Sequence, residues 1–448
     1  MSPQGARRAR LEALFRQALA AVDASAAVRR AVSQRDGELS IAGVPLAPGA
    51  RLVVLAAGKA AAEMAAALEQ VAGARIAAGL AVTKDGHGVP LERIALREAA
   101  HPVPDARSER AAREAIDLVQ SARRDDVLVV LLSGGASSLL SGPAPGLTLG
   151  DVALTTEALL AGGVAIGELN AVRKHLSAVA GGRLARRTGC GRIEVLAISD
   201  VPGDRLDVIG SGPFAPDPTT YADARDVLER GDLGGRLPAG VRAHIDAGAR
   251  GEAEETPKPG DSVFARVRTT VLANNRTALE AARAAAASAG CRAVVLDGAL
   301  RGEAREAGRR LAALAAAVGG ERPACLIAGG ETTVRVHGAG RGGRSQEVAL
   351  AAALELEGGT AAAMLAAGTD GTDGPTDAAG AYADGETVAR GRARGVDARA
   401  ALADNDAYRF FAAEGGLFRT GPTRTNVMDL ALLEIGRGAG VAGSGAGG

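Results

Sequence analysis

The chain has 448 residues, and at about 100–200 residues per domain this length predicts two or three domains with sizeable cores. Its 52 basic residues balance 52 acidic ones, so the charge favours neither nucleic acid nor a membrane surface, and at 2% aromatic residues few side chains could stack on bases. The three cysteines, Cys190, Cys291 and Cys325, lack metal-binding spacing, which argues against a zinc site and fits a cytoplasmic protein.

The N-terminal residues MSPQGARRARLEALFRQALAAV show helical apolar spacing interrupted by Glu12. They therefore predict an amphipathic helix rather than a signal peptide, and no run of about 18 apolar residues predicts a membrane span. Beyond them, short apolar runs alternate with helical segments, which is typical of an α/β protein with a mostly parallel sheet. In the first half, the predicted strands are residues 51–58, 76–83, 94–101, 127–134 and 193–199, and the helices between them include 59–72, 108–122 and 170–187.

A charged segment with two prolines, ARGEAEETPKPGDS at 249–262, separates two α/β patterns. It indicates a linker between domains or, alternatively, a long surface loop within one domain. The strands predicted after it are residues 268–274, 292–298, 324–330, 332–338 and 361–368, followed by an apolar element at 427–436. Segment 332–338 alternates apolar and polar residues, which predicts a half-exposed antiparallel strand, and the glycine-rich tail is predicted to be disordered.

The stretch from Asn170 to Pro213 combines cations, carboxylates and small residues around one predicted strand. Its candidate groups are Arg173, Lys174, His175, Asp200, Asp204, Asp207, Ser211 and Gly212. Phosphoryl transfer needs such groups, because cations hold anionic substrates and carboxylates hold Mg²⁺ or accept a proton. Glycines add to this by letting backbone N–H groups approach oxyanions.

Two turns in the first half follow predicted buried strands. The loop SGGASSLLSGP at 133–143 opens a helix, and its small residues leave backbone N–H groups accessible to a phosphate or carboxylate, although a tight turn without ligand explains it equally well. Gly58 and Lys59 end the first strand, so Lys59 projects over the carboxyl edge of the sheet, where open α/β sheets bind ligands. A solvated lysine is the plainer interpretation.

The second half carries two further loops. Residues 338–343, GAGRGG, match G-x-G-x-x-G, but no buried strand precedes them, so we discount a dinucleotide site there. In the same block Glu331 follows a strand, and Arg344 begins a helix where a guanidinium can clamp a phosphoryl group or carboxylate. The loop after strand 361–368 carries Asp370, Asp373 and Asp377, which suit Mg²⁺ or a magnesium nucleotide unless the loop is a solvated turn.

Histidine and serine chemistry is not favoured. His101 and His175 have no second histidine at metal-binding spacing, so hydrogen-bonding roles are expected. Ser133, Ser137 and Ser138 lack a G-x-S-x-G elbow, which argues against an α/β-hydrolase.

Long blocks in order along the chain resemble the glycerate 2-kinase family, the class with a C-terminal MOFRL domain. They include AAGKAAAEMA (56–65), EAAHPVPDARS (98–108), LLSGGASSLL (131–140), LNAVRKHLSAVAGGRLA (169–185), ISDVPGDRLDVIGSGPFAPDPTTYADA (198–224), GGETTVRVHGAGRGGRSQEVAL (329–350), AAGTDGTDGPTDAAGAYAD (366–384) and GPTRTNVMDL (421–430). Two departures are Ala136, where a third glycine is expected, and Asp85, where an aromatic residue is common.

The resemblance implies two α/β domains, an N-terminal domain with a Rossmann-like parallel sheet and a C-terminal domain with a mixed sheet, with the active site in the cleft between them. We place the N-terminal domain at 1–250, the C-terminal domain at 251–436 with its MOFRL region at about 324–432, and a disordered tail at 437–448. The implied reaction is ATP-dependent phosphorylation of D-glycerate at the C2 hydroxyl, with Mg²⁺, giving 2-phosphoglycerate and ADP.

Glycerate and ATP are both anions, so catalysis must bring cations to them. We assign Lys59 and Arg344 to charge stabilisation, Asp200 to proton acceptance, and Asp370 and Asp373 to Mg²⁺. The predicted substrate-binding residues are Ser133, Gly134, Gly135, Ser137, Asn170, Arg173 and Lys174. The predicted nucleotide-binding residues are Asp204, Ser211, Gly212, Glu331, Thr332, Gly342 and Gly343.

Two other functions stay open from the sequence. One is an NAD(P)H-dependent hydroxypyruvate reductase, which needs a nicotinamide site. The other is a non-catalytic sensor of sugar acids or nucleotides, which would have lost a cation or carboxylate. The expected partners are D-glycerate and ATP, without nucleic acid or membrane, and a homodimer is left open.

Overall fold

The computed structural model describes residues 3–230, 237–318, 323–359 and 362–436. The chain forms two compact units. The N-terminal unit is Ala24–Leu272, and the C-terminal unit combines Met1–Asp23 with Ala273–Gly448. The division therefore falls later in the chain than the predicted boundary after residue 250, and the first helix belongs to the C-terminal unit. The predicted disordered tail at 437–448 lies outside the described residues.

Helices and strands alternate along most of the described chain. The helices are α1 (Pro3–Ala21), α2 (Ala24–Ala31), α3 (Ala61–Ala72), α4 (Ala106–Ser121), α5 (Ala136–Leu139), α6 (Leu149–Ala161), α7 (Ile166–His175), α8 (Arg183–Arg187), α9 (Tyr221–Arg230), α10 (Ala239–Ala249), α11 (Asn275–Ser288), α12 (Ala304–Ala317), α13 (Arg344–Leu356), α14 (Thr387–Ala393), α15 (Ala398–Ala403) and α16 (Ala407–Glu414). The strands are β1 (Val32–Arg35), β2 (Glu38–Ile41), β3 (Val44–Pro45), β4 (Leu52–Ala57), β5 (Ile76–Lys84), β6 (Ala95–Ala99), β7 (Val127–Leu132), β8 (Arg192–Ile198), β9 (Val267–Ala273), β10 (Arg292–Leu300), β11 (Ala324–Gly330), β12 (Ala362–Gly368), β13 (Gly380–Asp384), β14 (Leu417–Phe418) and β15 (Asp429–Ile435).

The N-terminal unit is built on a six-stranded sheet in the order β6-β5-β4-β7-β8-β9. Strands β4 to β8 pair in parallel, and every residue of β4 and β7 is buried, as expected for strands covered on both faces. The chain proceeds to one side from β4 to β6 and to the other from β7 to β8. The carboxyl ends of β4 and β7 therefore meet at a topological switch point, where open α/β sheets bind ligands.

Three predictions about the N-terminal unit need correction. Segment 249–262 is not a linker but a loop of this unit, because Thr256 is buried and donates a hydrogen bond to Asp217. The strand predicted at 268–274 joins this sheet as β9 instead of starting the second domain. The helix predicted over 170–187 is split: α7 ends at His175, and α8 begins only after Gly181 and Gly182, whose left-handed φ values of 59° and 80° are not helical.

The C-terminal unit has a mixed sheet in the order β10-β11-β15-β12-β13-β14. Strands β10 and β11 are parallel, whereas β15 lies antiparallel between β11 and β12. Helices α12 and α13 cover the sheet with alanine and leucine side chains, which lets helix and sheet approach closely. The predicted mixed sheet is thus confirmed, and its central strand β15 is the last described element.

The predicted strand at 332–338 is wrong. This segment is irregular apart from an isolated bridge between Glu303 and Thr333. Its backbone is held by neighbouring loops instead, since Asn405 Oδ1 accepts hydrogen bonds from the N–H groups of His337 and Gly338. Alternation alone could not distinguish an extended loop from a strand, because both place successive side chains on opposite sides.

Helix α1 confirms the predicted N-terminal helix and packs on the sheet of the C-terminal unit. Arg10 forms an ion pair with Glu434 of β15, and Phe15 meets Phe418 edge to face with ring centroids 5.3 Å apart. Within the described parts of the chain, no helix combines the length and apolar character needed to cross a membrane.

Candidate active site

The switch point of the N-terminal sheet brings together the turns after β4 and β7. Lys59 N–H donates to Gly134 O at 2.8 Å, and Ala60 N–H donates to Ser133 Oγ at 3.0 Å. Gly58 has φ of 128°, and a Cβ there would lie 2.4 Å from the Ser133 carbonyl oxygen, so only glycine allows this approach. Ser133 is fully buried and serves this contact, which differs from its predicted role in binding substrate.

The loop after β7 presents a row of free amide groups. Among the described residues, no acceptor is hydrogen-bonded to the backbone N–H groups of residues 134–137. The side chain of Lys59 packs over this loop, with its Cγ 3.4 Å from the position that a Cβ on Gly135 would occupy, and His101 lies against the same glycine. Successive free N–H groups beside a cation form a concave site for an anion.

Arg173 opens onto the pocket beside this loop. The pocket is lined by Ala136, Ser137, Arg173, Ser177, Gly210 and Ser211. Within the described chain, the Arg173 guanidinium makes neither a hydrogen bond nor an ion pair, and burial lowers its pKa without an opposing counter-charge. An unpaired, partly buried guanidinium beside two hydroxyl groups is suited to a carboxylate or phosphate.

Ser137 and Ser211 belong to the same site. Their hydroxyl oxygens are 2.8 Å apart, so the serine predicted to bind substrate and the serine predicted to bind nucleotide lie in one site. Ser211 adopts φ of 61°, between Gly210 and Gly212 at 58° and 61°. Left-handed backbone is costly for a serine, and such strain is found preferentially at functional sites.

Lys174 has a different environment from its neighbour Arg173. It is 2% exposed, and its Nζ lies 3.1 Å from Asp217 Oδ1 and 3.3 Å from Asp207 Oδ2. It therefore ties α7 to the loop that follows β8, which differs from the predicted contact with glycerate. His175 is likewise engaged, with its Nε2 2.9 Å from Glu255 Oε1, as expected for a hydrogen-bonded histidine.

Three more predicted residues lie on the same side of this unit. Asp200 lies two residues after the end of β8 and is half-buried, and Asp204 lies in the next turn with φ of 52°. Asn170 precedes Arg173 by three residues on α7, so both side chains lie on one face of the helix. The structure thus groups Lys59, residues 134–137 and Arg173 around the switch point, with Asp200 on the adjacent strand end.

In the C-terminal unit, Arg344 is held by two carboxylates. Its Nε and Nη2 donate to the two oxygens of Asp429 at 2.5 and 3.0 Å, and its Nη1 lies 2.8 Å from Glu331 Oε1. Burial alone would lower the pKa of Arg344, but the negative charges of Asp429 and Glu331 raise it. The guanidinium is therefore fixed in position and fully charged, with one N–H left on each of Nη1 and Nη2.

The residues around Arg344 form a pocket of the C-terminal unit. Its lining includes Glu331, Thr332, Gly342, Gly343 and Arg344, the group predicted to bind nucleotide in this half of the chain. Asp204, Ser211 and Gly212, the other predicted nucleotide-binding residues, belong to the N-terminal unit. The structure thus divides that predicted set into two groups.

The G-x-G-x-x-G segment at 338–343 is held by the turn between α15 and α16. Ala339 N–H donates to Asp404 Oδ1, Gly340 N–H to Asp404 O, and Arg341 N–H to Asp406 Oδ1. A Cβ on Gly340 would lie 2.4 Å from the Asp404 carbonyl oxygen, so close packing explains this glycine. These N–H groups are already used and are not available to the pyrophosphate of a dinucleotide.

The two carboxylates predicted to hold Mg²⁺ differ in accessibility. Asp373 is buried, and its two oxygens accept hydrogen bonds from the N–H groups of Ser345 and Gln346 at the start of α13. Burial, together with the charge of Asp429, raises the pKa of Asp373 to about 7. A buried carboxylate that already caps a helix does not fit a metal ligand, whereas the half-buried Asp370 does.

Among the described residues, no group of three or more His, Cys, Asp or Glu side chains could hold a metal ion. A site with fewer protein ligands is still compatible with Mg²⁺, because proteins often bind this ion through one or two carboxylates together with substrate phosphates. Of the predicted pair, Asp370 is the more accessible, whereas both oxygens of Asp373 already accept hydrogen bonds from backbone N–H groups.

Sequence reasoning missed the carboxylates that position the cations. Asp429 is paired with Gly330 and Gly368 in the sheet, at the edge where Glu331 follows β11. Asp429 opens the apolar run DLALLEI, and a carboxylate in that position could have been recognised as unusual. The cation with which it forms an ion pair depends on the order of the strands, which the sequence does not show. Asp207 was a candidate and Asp217 was not, but the pairing of either with Lys174 could not be predicted, because they lie 33 and 43 residues from it.

Two family models match the chain. A domain of unknown function, DUF4147, matches residues 10–246, and the MOFRL family matches residues 324–429. Among curated proteins, a glycerate 2-kinase of Pyrococcus horikoshii is 41% identical over 94% of this chain and 96% of its own length. A D-glycerate 2-kinase of Thermotoga maritima is 42% identical over 85% of this chain and 90% of its own length.

A protein of Agrobacterium vitis that is 44% identical, over 91% of this chain and 92% of its own length, carries the name putative hydroxypyruvate reductase. Among solved structures, that of glycerate kinase from Thermotoga maritima matches with a TM-score of 0.82 and 38% identity, covering 96% of this chain and all of the other.

Proposed function

Because the chain belongs to the glycerate 2-kinase family, we propose that it transfers the terminal phosphoryl group of ATP to the C2 hydroxyl of D-glycerate. The products are 2-phospho-D-glycerate and ADP. One observation carries the proposal: Arg173 is a partly buried guanidinium without a counter-ion among the described residues, beside the free amides of residues 134–137. A site of this kind is complementary to a small carboxylate.

We assign the substrate to the N-terminal unit. Arg173 binds the carboxylate of glycerate, and Ser137, Ser211 and Asn170 supply neutral hydrogen-bonding groups around it. Lys174 acts as a positioning residue, because its ion pairs with Asp207 and Asp217 fix the last turn of α7, from which Arg173 projects.

The reacting oxygen needs a proton acceptor. Asp200, at the end of β8 beside this site, accepts the proton of the C2 hydroxyl as that oxygen bonds to phosphorus. The bond between phosphorus and the bridging oxygen of ATP breaks at the same time, and ADP leaves. Lys59 and the free amides of residues 134–137 stabilise negative charge on the transferring group.

The nucleotide is assigned to the C-terminal pocket. Arg344 offers its two remaining N–H groups to phosphate oxygens, and Gly342 and Gly343 leave room for them beside the start of α13. Mg²⁺, when bound with the nucleotide, neutralises charge on its phosphates, and Asp370 is the carboxylate assigned to it. Glu331 and Asp429 hold Arg344 in place.

A coupled assay tests the reaction and its position. D-Glycerate, ATP and Mg²⁺ are supplied with enolase, pyruvate kinase, lactate dehydrogenase and NADH, but without phosphoglycerate mutase. Loss of NADH means that 2-phosphoglycerate forms, because enolase accepts only that isomer. If the signal appears only after mutase is added, the product is 3-phosphoglycerate and the C2 assignment is wrong.

Failure to form ADP at saturating substrate would reject the kinase assignment for this chain. The reductase alternative is tested separately, by supplying hydroxypyruvate with NADH or NADPH and without coupling enzymes. We expect no oxidation of either cofactor, because the N–H groups of residues 338–341 in the glycine loop are already bonded to Asn405, Asp404 and Asp406.

A further inference from the structure

Segment 332–338 forms one wall of the pocket beside Arg344, and it has two unlike edges. Thr333 N–H donates to Gly302 O at 2.8 Å, and Arg335 N–H donates to Glu303 Oε1 at 3.2 Å. The carbonyl oxygen of Arg335 also accepts a hydrogen bond from Asn405 Nδ2 at 3.2 Å. The odd-numbered residues of this segment thus have their backbone groups bonded to the protein.

Val334 and Val336 differ from these residues. Within the described chain, neither the N–H nor the C=O group of Val334 or Val336 makes a hydrogen bond. In an extended chain, the N–H and C=O groups of one residue point to the same edge, and those of the next residue point to the opposite edge. The bonded groups of Thr333 and Arg335 are consistent with this arrangement locally, and Val334 and Val336 leave unpaired backbone donors and acceptors between them.

These unpaired groups belong to the pocket that contains Arg344. Val334 and Val336 line it together with Thr332, Gly342 and Gly343. The Val336 side chain is 73% exposed, the highest value among the large apolar residues described as exposed. An apolar surface beside unpaired donors and acceptors is suited to a flat heteroaromatic ring that has both polar edge atoms and apolar faces.

We propose that Val334 and Val336 bind the adenine base of the nucleotide. The exposed side chain of Val336 packs against the ring, beside Val334, which is partly buried against the core, and the backbone of Val336 pairs with the polar edge of the base. The C=O group accepts from the exocyclic amino group, and the N–H group donates to the adjacent ring nitrogen. This inference rests on the proposed function, because it takes the phosphates to lie at Arg344 in the same pocket.

The distance along the segment suits this assignment. From Thr332 to Val336 there are four steps, which span about 13 Å at about 3.3 Å per residue. The base at Val336 and the phosphates near Gly342, Gly343 and Arg344 would then occupy different parts of one pocket. The low aromatic content of the chain agrees with recognition by backbone and aliphatic groups instead of by stacking on aromatic rings.

Reading a base through the backbone makes a specific prediction about analogues. Guanine carries an acceptor and a donor where adenine carries a donor and an acceptor, so it opposes both backbone groups. Purine riboside lacks the amino group and loses one hydrogen bond. We expect the intact enzyme to bind ADP about tenfold more tightly than either GDP or purine riboside diphosphate, measured by isothermal titration calorimetry.

Two variants of one residue separate the backbone from the side chain. Val336→Pro removes the N–H group while keeping an extended backbone, and Val336→Thr keeps both the N–H group and a similar shape. We expect the preference for ADP over GDP to persist in the threonine variant and to fall to about threefold or less in the proline variant, because the N–H group that donates to the ring nitrogen of adenine and opposes the N1–H of guanine is lost. KM for D-glycerate should stay unchanged in both.

Equal base preference in the proline and threonine variants would overturn the proposal. If the proline variant does not fold, the analogue series on the unmodified enzyme still decides, because equal affinities for ADP, GDP and purine riboside diphosphate would mean that the base is not read. The coupled assay distinguishes this failure from that of the proposed function, since a chain without kinase activity can still show base-selective binding of ADP.

Discussion

The two units each bring an arginine to a pocket, but they prepare it in opposite ways. Arg173 of the N-terminal unit has no ion-pair partner among the described residues, and burial lowers its pKa. Arg344 of the C-terminal unit is fixed by Asp429 and Glu331, which raise its pKa. The comparison teaches that a free cation suits reversible binding of an anionic substrate, whereas a cation held in a bidentate ion pair is preorganised for charge that develops during reaction.

The largest effect is expected at the fixed arginine. Arg344→Met should lower kcat about 10²- to 10³-fold with little change in KM for D-glycerate, because it removes charge stabilisation without touching the glycerate site. Steady-state kinetics on protein with an unchanged circular dichroism spectrum measures this. Arg309→Met is a matched control, since Arg309 is an exposed residue of α12 that pairs with Glu306. If kcat stays within about tenfold of the parent, Arg344 does not have this role.

Lys59 tests whether the N-terminal unit also contributes to the transfer step. Lys59→Ala should lower kcat about 10²-fold, because the side chain packs over the free amides of residues 134–137 where the transferring group is assigned. Lys84→Ala, at the end of β5, serves as the control. Turnover near that of the parent would mean that Lys59 does not stabilise the transferring group.

Arg173 should behave as a binding residue. Arg173→Gln is expected to raise KM for D-glycerate about 10- to 100-fold, the loss of one charge-assisted contact, while kcat changes less. Arg242→Gln, on the exposed side of α10, is the matched control. A fall in kcat with an unchanged KM would contradict the assignment of Arg173 to the glycerate carboxylate.

Lysine substitutions test the same difference between Arg173 and Arg344. Lysine keeps the charge but lacks the planar fork that makes two parallel hydrogen bonds. Arg344→Lys should therefore cost more than Arg173→Lys in kcat/KM, because only Arg344 uses that fork on a protein carboxylate. Equal losses would mean that Arg173 also acts through a bidentate contact, made with the substrate.

The sequence was informative where chemistry is local. The places of Lys59, the loop at 133–137 and Arg344 in the fold could be predicted, because each follows a buried strand or begins a helix, and the ends of parallel strands are common functional positions. The order of the strands was not readable, so Asp429 of the last described strand was missed as the partner of Arg344. Long-range pairs such as Lys174 with Asp217 were missed for the same reason, and α1 could not be assigned to the C-terminal unit.

The sequence could not show that neighbouring residues of the same charge have different environments. Arg173 and Lys174 both looked like substrate cations, but a one-residue step on a helix turns the side chain by about 100°. Arg173 therefore lines the pocket, while Lys174 is buried between two aspartates. Asp370 and Asp373 differ in the same way, because only the fold shows that Asp373 caps α13.

Buried aspartates provide the finest comparison between the units, because the pKa of Asp373 is raised and that of Asp217 is lowered. Burial raises the pKa of Asp373 to about 7, with help from Asp429. Burial acts on Asp217 in the same direction, but the charge of Lys174 and hydrogen bonds from Thr219 outweigh it and lower its pKa. The two carboxylates should therefore make opposite contributions to the pH dependence of stability.

The sign for Asp373 follows from proton counting. Between the unfolded pKa near 4 and the folded pKa of about 7, the folded protein holds a proton that the unfolded chain has lost, so stability falls as pH rises. Asp373→Asn removes this effect, and its free energy of unfolding should gain on the parent by about 2 kcal/mol between pH 5 and pH 6.5, at about 1.4 kcal/mol per pH unit. Urea unfolding at several pH values measures the difference.

Asp217→Asn is the matched variant with the opposite sign. The ionised Asp217 stabilises the fold above its unfolded pKa, and this contribution is lost as pH falls through its lowered folded pKa. The destabilisation caused by Asp217→Asn should therefore be constant above about pH 5 and shrink in stronger acid. If both variants changed with pH in the same direction, Asp373 would be ionised in the fold at neutral pH, and Arg344 would share its charge among three carboxylates instead of two.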